Sequence, residues 1–103
     1  MELERFQQEM AKRFAEFDRE SGPFFLMTVL TAELGELAEA VKNDDPTGVS
    51  EELADLIFTA VSIANIYDLD ISNALEEKYL NKTSKEISKG WTEPYLGKRT
   101  DTL

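Results

Sequence analysis

The apolar positions repeat with the period of an α-helix almost from the first residue. Leu3, Phe6, Met10, Phe14 and Phe17 recur at intervals of 3, 4, 4 and 3, with Glu, Gln, Lys and Arg between them, which predicts an amphipathic helix over 2–20. Ser21-Gly22-Pro23 stops it, because Gly suits a C-terminal cap and Pro cannot continue the helix. A second helix follows over 24–43, with Leu26, Met27, Leu30, Leu34, Leu37 and Val41 as its stripe. Phe24, Phe25 and Val29 widen that stripe, so this helix is expected to be covered on more than one side, with core packing the first role for Phe24 and Phe25. Residues 43–48 are a turn by composition. Thr47 or Ser50 is then the expected cap of a third helix over 49–67, whose core face is Val49, Leu53, Leu56, Ile57, Ala60, Val61 and Ala64. After a short connection, a fourth helix is predicted over 71–89, capped by Asp70 or Ser72 and ended by Gly90. Residues 91–103 have no period and read as an extended tail. The expectation is an all-α chain: an antiparallel four-helix bundle over 1–90, oligomeric, with an irregular C-terminal tail.

The polar positions carry the chemistry. Glu33 and Glu36 interrupt the apolar second helix, and Glu52 and Asp55 interrupt the third. Each pair is three residues apart, a spacing that puts both carboxylates on one helix face. The short turn makes the two helices antiparallel neighbours. At about 1.5 Å of rise per residue, the pairs reach similar heights on either side of the turn. Four carboxylates meeting at one point repel unless something neutralises them. Among apolar neighbours they call for a metal or another cation. Glu39, one turn beyond Glu36, is a candidate fifth member. Gly35 is unfavourable mid-helix by ~1 kcal/mol against Ala, and its expected use is close approach by another helix or a ligand.

Composition narrows the choice of cation and chemistry. There is no cysteine and no histidine, which excludes disulfides, thiolate or imidazole zinc sites and histidine acid–base catalysis. An all-oxygen site suits a hard cation such as Mg²⁺, with Mn²⁺ as a substitute, and Mg²⁺ commonly arrives with substrate phosphates. The net charge is −10 over 103 residues, one domain's length. Six of the eleven basic residues lie beyond residue 77, where only three of the 21 acids lie. An acidic body disfavours nucleic acid as a partner, whereas a small basic segment suits a compact phosphate ligand. Lys78, Lys82, Lys85 and Lys89, at intervals of 4, 3 and 4, are expected to form a cationic strip on the fourth helix. No membrane span or leader is visible, so a soluble cytoplasmic protein is expected. Two readings from different classes emerge: a metal-dependent phosphohydrolase, and a non-catalytic helical oligomerisation or interaction module whose acids are a degenerate site.

The two acid pairs and their setting resemble a known family. Glu33-x-x-Glu36, a gap of fifteen residues, then Glu52-x-x-Asp55 is similar to the signature of MazG-type nucleoside triphosphate pyrophosphohydrolases, an all-α superfamily. The context agrees: TAELGELAEAV at the first pair, EELADLIFTAVSIAN around the second, then DISNALEEKYLNK, so that the resemblance covers about residues 24–85. It implies Mg²⁺-dependent hydrolysis of a nucleoside triphosphate between its α- and β-phosphates, giving a monophosphate and pyrophosphate. It assigns Glu33, Glu36, Glu52 and Asp55 to the metal, with Glu36 and Asp55 as the catalytic pair. It places Lys78 and Asn81 on phosphate or sugar, with Lys82 and Lys85 beside them. For Phe24 and Phe25, stacking on a base is then the second role after core packing. It also implies a homodimer or homotetramer. The related phosphoribosyl-ATP pyrophosphatases usually carry a His after the second acid pair, and this chain has none.

Overall fold

A computed structural model describes residues 2–91 and is helical throughout, with no strand among the described residues. The first compact unit runs over Met1–Ile71 and is built from α1 (Leu3–Ser21), α2 (Pro23–Lys42) and α3 (Pro46–Ile66). At the α1–α2 corner Gly22 takes a φ of 85°, a region a side chain rarely adopts. Its N–H bonds to Asp18 O at 2.9 Å, and its own carbonyl accepts from Leu26 at 3.1 Å, so one residue ends α1 and begins α2. Pro23 at the first position of α2 gives up an N–H that had no helical partner.

The α2–α3 turn is tight. Asp44 turns the chain with φ 52°, and Asp45 N–H bonds back to Ala40 O at 3.0 Å. The Asp45 side chain then caps α3 by accepting from Gly48 N at 3.1 Å. Thr47 and Ser50 are therefore not the caps: α3 begins at Pro46, three residues earlier than the apolar period suggests, because Asp-Pro is a better start than either. Gly48 has to be small, since a Cβ there would sit 2.5 Å from Asp45 Oδ2 and 3.3 Å from Ala40 Cβ. This close contact sets the height of α2 against α3.

The face that α1 turns to α3 takes in part of its apolar stripe and polar positions beside it. Phe17 is left largely exposed, while Gln7 and Asp18 are buried. Gln7, Ala11 and Asp18 each follow a stripe position by one residue and form the inward ladder together with Phe14, which belongs to the stripe itself. Phe14 meets Phe58 edge-to-face with centroids 5.6 Å apart. Gln7 Nε2 donates to Asn65 Oδ1 at 2.9 Å and to Leu69 O at 2.5 Å, and Gln7 Oε1 accepts from Ile71 N at 3.2 Å. One side chain thereby ties the end of α3 and the following turn to α1, a use that no hydrophobic pattern announces. Gly35 meets no atom within 4 Å of where its Cβ would stand, so the close approach expected there does not occur within the chain.

A second compact unit begins at Ser72. The continuous fourth helix expected over 71–89 is replaced by short pieces. The five residues of α4 (Ile71–Leu75) lead into a π-helical turn, Glu76–Leu80, and α5 (Ser84–Ile87) is separate. The cause of the second start is local: Thr83 and Glu86 form a reciprocal capping box, with Thr83 Oγ1 accepting from Glu86 N at 3.2 Å and Thr83 N donating to Glu86 Oε1 at 2.9 Å. A capped start interrupts a helix that would otherwise run through, and α5 ends at a Ser88 C-cap rather than at Gly90. The all-α class holds, but the fourth long rod of a four-helix bundle is not formed. Of the tail read over 91–103, only Trp91 is among the described residues, and it is exposed; residues 92–103 lie outside them. No helix among the described residues is long and apolar enough to cross a membrane.

Candidate metal centre

The α2–α3 pair brings the two acid pairs together. Glu33, Glu36 and Glu52 each present a carboxylate oxygen, and these oxygens lie within 4.8 Å of one another. Asp55 joins them electrostatically, since its charge acts on both Glu33 and Glu36. Glu33 and Glu52 are half-buried; Glu36 and Asp55 stand exposed at the mouth. Glu39 is exposed and stays outside the group.

The electrostatics are those of like charges held close together. The Glu33 carboxyl is held above the usual carboxylate range, first by hydrogen bonding to the Glu52 carboxyl, then by burial and by the charges of Asp55 and Glu52. A carboxyl–carboxyl contact needs a proton between its oxygens. Glu36 is raised too, mainly by the negative charge of Glu33. The Oε2 atoms of Glu33 and Glu52 are buried and meet no hydrogen-bond donor. Buried acceptors without donors are uncommon, and two facing each other are an oxygen-lined seat for a cation. The donor set fits Mg²⁺ or Mn²⁺ in type, being all carboxylate.

The four lysine-region residues are placed differently from the expectation. Lys78 sits in the π-helical turn with its Nζ 5.7 Å from the Tyr79 ring centroid, Asn81 is the C-cap of that turn, Lys82 follows in the break and Lys85 lies in α5. All four are exposed. The 4-3-4 spacing gives a single strip only on an unbroken α-helix, so no continuous cationic strip forms. One buried acid, Asp18, escaped the sequence reading. Asp18 is 2% exposed, and Ser62 beside it is 1% exposed. The Asp18 carboxyl is pushed up by burial, opposed by a hydrogen bond with the Ser62 side chain, and its Oδ2 has no partner.

A helical chain with three carboxylates gathered on an antiparallel helix pair, Asp55 beside them and no nitrogen or sulfur ligand, falls in the class of all-α proteins with an oxygen donor set suited to a hard cation. Comparison with known proteins gives that class its family. The sequence profile of the MazG nucleotide pyrophosphohydrolase domain matches residues 22–87, and the chain belongs to that family. It is 30% identical over 86 residues to the uncharacterized protein YpjD of Bacillus subtilis (strain 168), a similarity covering 74% of this chain and 77% of that protein. The matched span takes in α2, α3 and both acid pairs.

Proposed function

We propose that this protein is a Mg²⁺-dependent nucleoside triphosphate pyrophosphohydrolase. The observation that carries the reading is the group of Glu33, Glu36 and Glu52 carboxylates within 4.8 Å of one another, in which one oxygen each of Glu33 and Glu52 is buried without a hydrogen-bond partner. Glu33, Glu36, Glu52 and Asp55 hold the ion, Mg²⁺ by preference and Mn²⁺ as a substitute. When bound, the ion supplies Lewis-acid polarisation of phosphoryl oxygens and neutralises charge on the leaving pyrophosphate. The inner acids, Glu33 and Glu52, fix the position of the site because α2 and α3 are locked by the Asp45–Gly48 turn. The outer acids, Glu36 and Asp55, face the solvent side from which a nucleotide and water arrive. A carboxylate at the mouth, Glu36 or Asp55, is placed to orient the attacking water. Water adds across the α–β anhydride, giving a monophosphate and pyrophosphate.

Lys78, Asn81, Lys82 and Lys85 keep the role of phosphate- and sugar-side ligands in this reading. A second copy of the chain is the proposed cover for the apolar flank of the α2–α3 pair, where Met27, Leu34, Val41, Leu53 and Ile57 are exposed. Removal of unwanted nucleotides from the cytoplasmic pool is the physiological role that fits. The test is a panel of nucleoside triphosphates with and without Mg²⁺, scored separately for pyrophosphate and orthophosphate. Pyrophosphate appearing only with the metal is expected. Orthophosphate as the first product, or no turnover on any nucleotide, overturns the reading.

A further inference from the structure

The acid flank of α2 continues past Glu33 towards the start of the helix, and what lies there is apolar and open. From Phe25 to Glu36 is eleven residues, three turns with only about 20° of net rotation, so the two side chains leave the helix in nearly the same direction. Val29 and Ala32 fall between them on that flank. Phe25 is 55% exposed and Ala32 is exposed, while Val29 is half-buried. Core packing, the first role expected of Phe25, is therefore not its role within the chain. Its neighbour Phe24, 88% exposed, points about 100° away and does not share the flank. The short side chain of Ala32 leaves the surface low between the ring and the acids. Thr28, which borders the flank, spends its hydroxyl on the carbonyl of Phe24 at 3.1 Å.

We propose that Phe25 is the platform on which the nucleobase of the substrate stacks, with the sugar passing over Ala32 to phosphates at the acids. This deepens the nucleotide pyrophosphohydrolase reading and rests on it. Three observations point to this occupant rather than to another helix. The axial distance from Phe25 to Glu33 is about 12 Å, a span suited to a base joined through a sugar to phosphates held at the acids. The aromatic side chain lies on the flank that carries the charge, not with Met27, Leu34 and Val41 on the other. The flank between Phe25 and Glu36 also offers no amide or guanidinium to read a base edge, so recognition there falls to an aromatic face, which every base can use. Phe25 is a substrate-positioning residue, acting on binding and not on the chemical step.

The experiment compares Phe25→Leu, Phe25→Ala, Phe25→Trp and Ala32→Leu in the full chain. Phe25→Leu keeps apolar surface but removes the π-face; Phe25→Trp keeps a π-face. Ala32→Leu keeps a good helix former and fills the low ground between platform and acids. KM for one purine and one pyrimidine triphosphate should rise roughly 5- to 150-fold in Phe25→Leu and Phe25→Ala, with kcat little changed. Ala32→Leu should raise KM in the same direction, and Phe25→Trp should stay near the wild type. Mg²⁺ affinity measured without nucleotide, and the oligomeric state by light scattering, should be the same in the wild type and all four variants. Wild-type KM in Phe25→Leu overturns the platform while leaving the enzyme reading intact, and wild-type KM in Ala32→Leu overturns the path over Ala32. A change of oligomeric state in Phe25→Leu assigns Phe25 to a subunit contact and also overturns the platform. A wild-type protein that binds Mg²⁺ but turns over no nucleotide removes the enzyme reading and this inference together.

Discussion

The two flanks of the α2–α3 pair are built from the same helices and do opposite things. On one flank Glu33, Glu36, Glu52 and Asp55 crowd their charges together; on the other, Met27, Leu34 and Val41 repeat every seven residues beside Leu53 and Ile57, all exposed. Each flank is unfavourable as it stands. The first places like charges side by side, and the second leaves apolar side chains exposed. Among the described residues the buried apolar side chains are Leu26, Ala40, Val61 and Ala64, a small core to set against both. In the proposed reading the two flanks are completed by different chemistry: a cation with a phosphate ligand on one, apolar surface of a second copy on the other. Substitutions on the two flanks should therefore fail in different assays.

The largest separation is expected in turnover. Glu36→Gln and Asp55→Asn remove charge at the mouth of the site without altering shape, and pyrophosphate release should fall about 10²–10³-fold. Their melting temperatures without metal should equal or exceed that of the wild type, because a repulsive charge is gone. A large loss of stability in both would make the acids structural and merge the two flanks into one packing unit.

Metal and pH act on the same flank through stability. Mg²⁺ at 100 times its dissociation constant adds ~2.7 kcal/mol by mass action, roughly 10–20 °C in melting temperature for a domain of this size. The sign of the pH effect without metal follows from Glu33 and Glu36, whose carboxyls are raised above 4.5 in the fold. The folded state then holds more protons than the unfolded chain between 4.5 and the raised values. Stability is greatest below that window and is lost as pH rises through it. Since a metal ion competes with protons for the raised Glu33 and Glu36 carboxyls, Mg²⁺ affinity should rise with pH. Thermal scans across pH, with Mg²⁺ and with a chelator, check both statements; a melting temperature indifferent to Mg²⁺ would rule out the centre.

The apolar flank should answer to concentration instead. Leu34→Glu or Val41→Glu places a charge in the seam and should weaken self-association by about 30-fold or more, a hot-spot effect of ~2 kcal/mol. Mg²⁺ affinity, set on the other flank, should be unchanged. Sedimentation of the wild type as a monomer at high concentration would show that something other than a second copy covers the seam.

The helices that carry these flanks are legible in the sequence because period and turn chemistry agree there. Ser21-Gly22-Pro23 stops α1, the 43–48 turn reverses the chain, and i, i+3 spacing places the acids. The acid cluster is legible for a second reason: charges inside an apolar helix contradict the pattern and so advertise themselves. Three things are hidden. The break at Asn81–Thr83 is masked because the 4-3-4 lysine spacing is helical, although Thr83-x-x-Glu86 carries the capping-box signature that overrides it. Most of the inward ladder of α1 is masked because a strong stripe one residue away outcompetes it on any hydrophobicity count. The exposure of Phe25 is invisible, since an aromatic that packs and one that waits for a ligand have the same one-letter code.

Asp18 supplies the control that the acid cluster needs, because it is an acid raised by burial alone. No other acid contributes to its shift, and the Ser62 hydroxyl is the only group opposing it. Its carboxyl stands above 3.8 in the fold, so the folded state again holds the extra proton, and its share of stability is full below 3.8 and lost as pH rises through the window above it. Unlike the Glu33 and Glu36 contribution, this one has no reason to vanish when Mg²⁺ binds. With saturating Mg²⁺ the wild type should retain a shallow downward slope in melting temperature above pH 3.8, a matter of roughly a few degrees, and Asp18→Asn should flatten it. Ser62→Ala, which removes the opposing hydrogen bond, should steepen it. Parallel pH profiles for Asp18→Asn and the wild type under those conditions would mean that Asp18 titrates as an ordinary acid. The whole pH dependence of this fold would then belong to the metal flank.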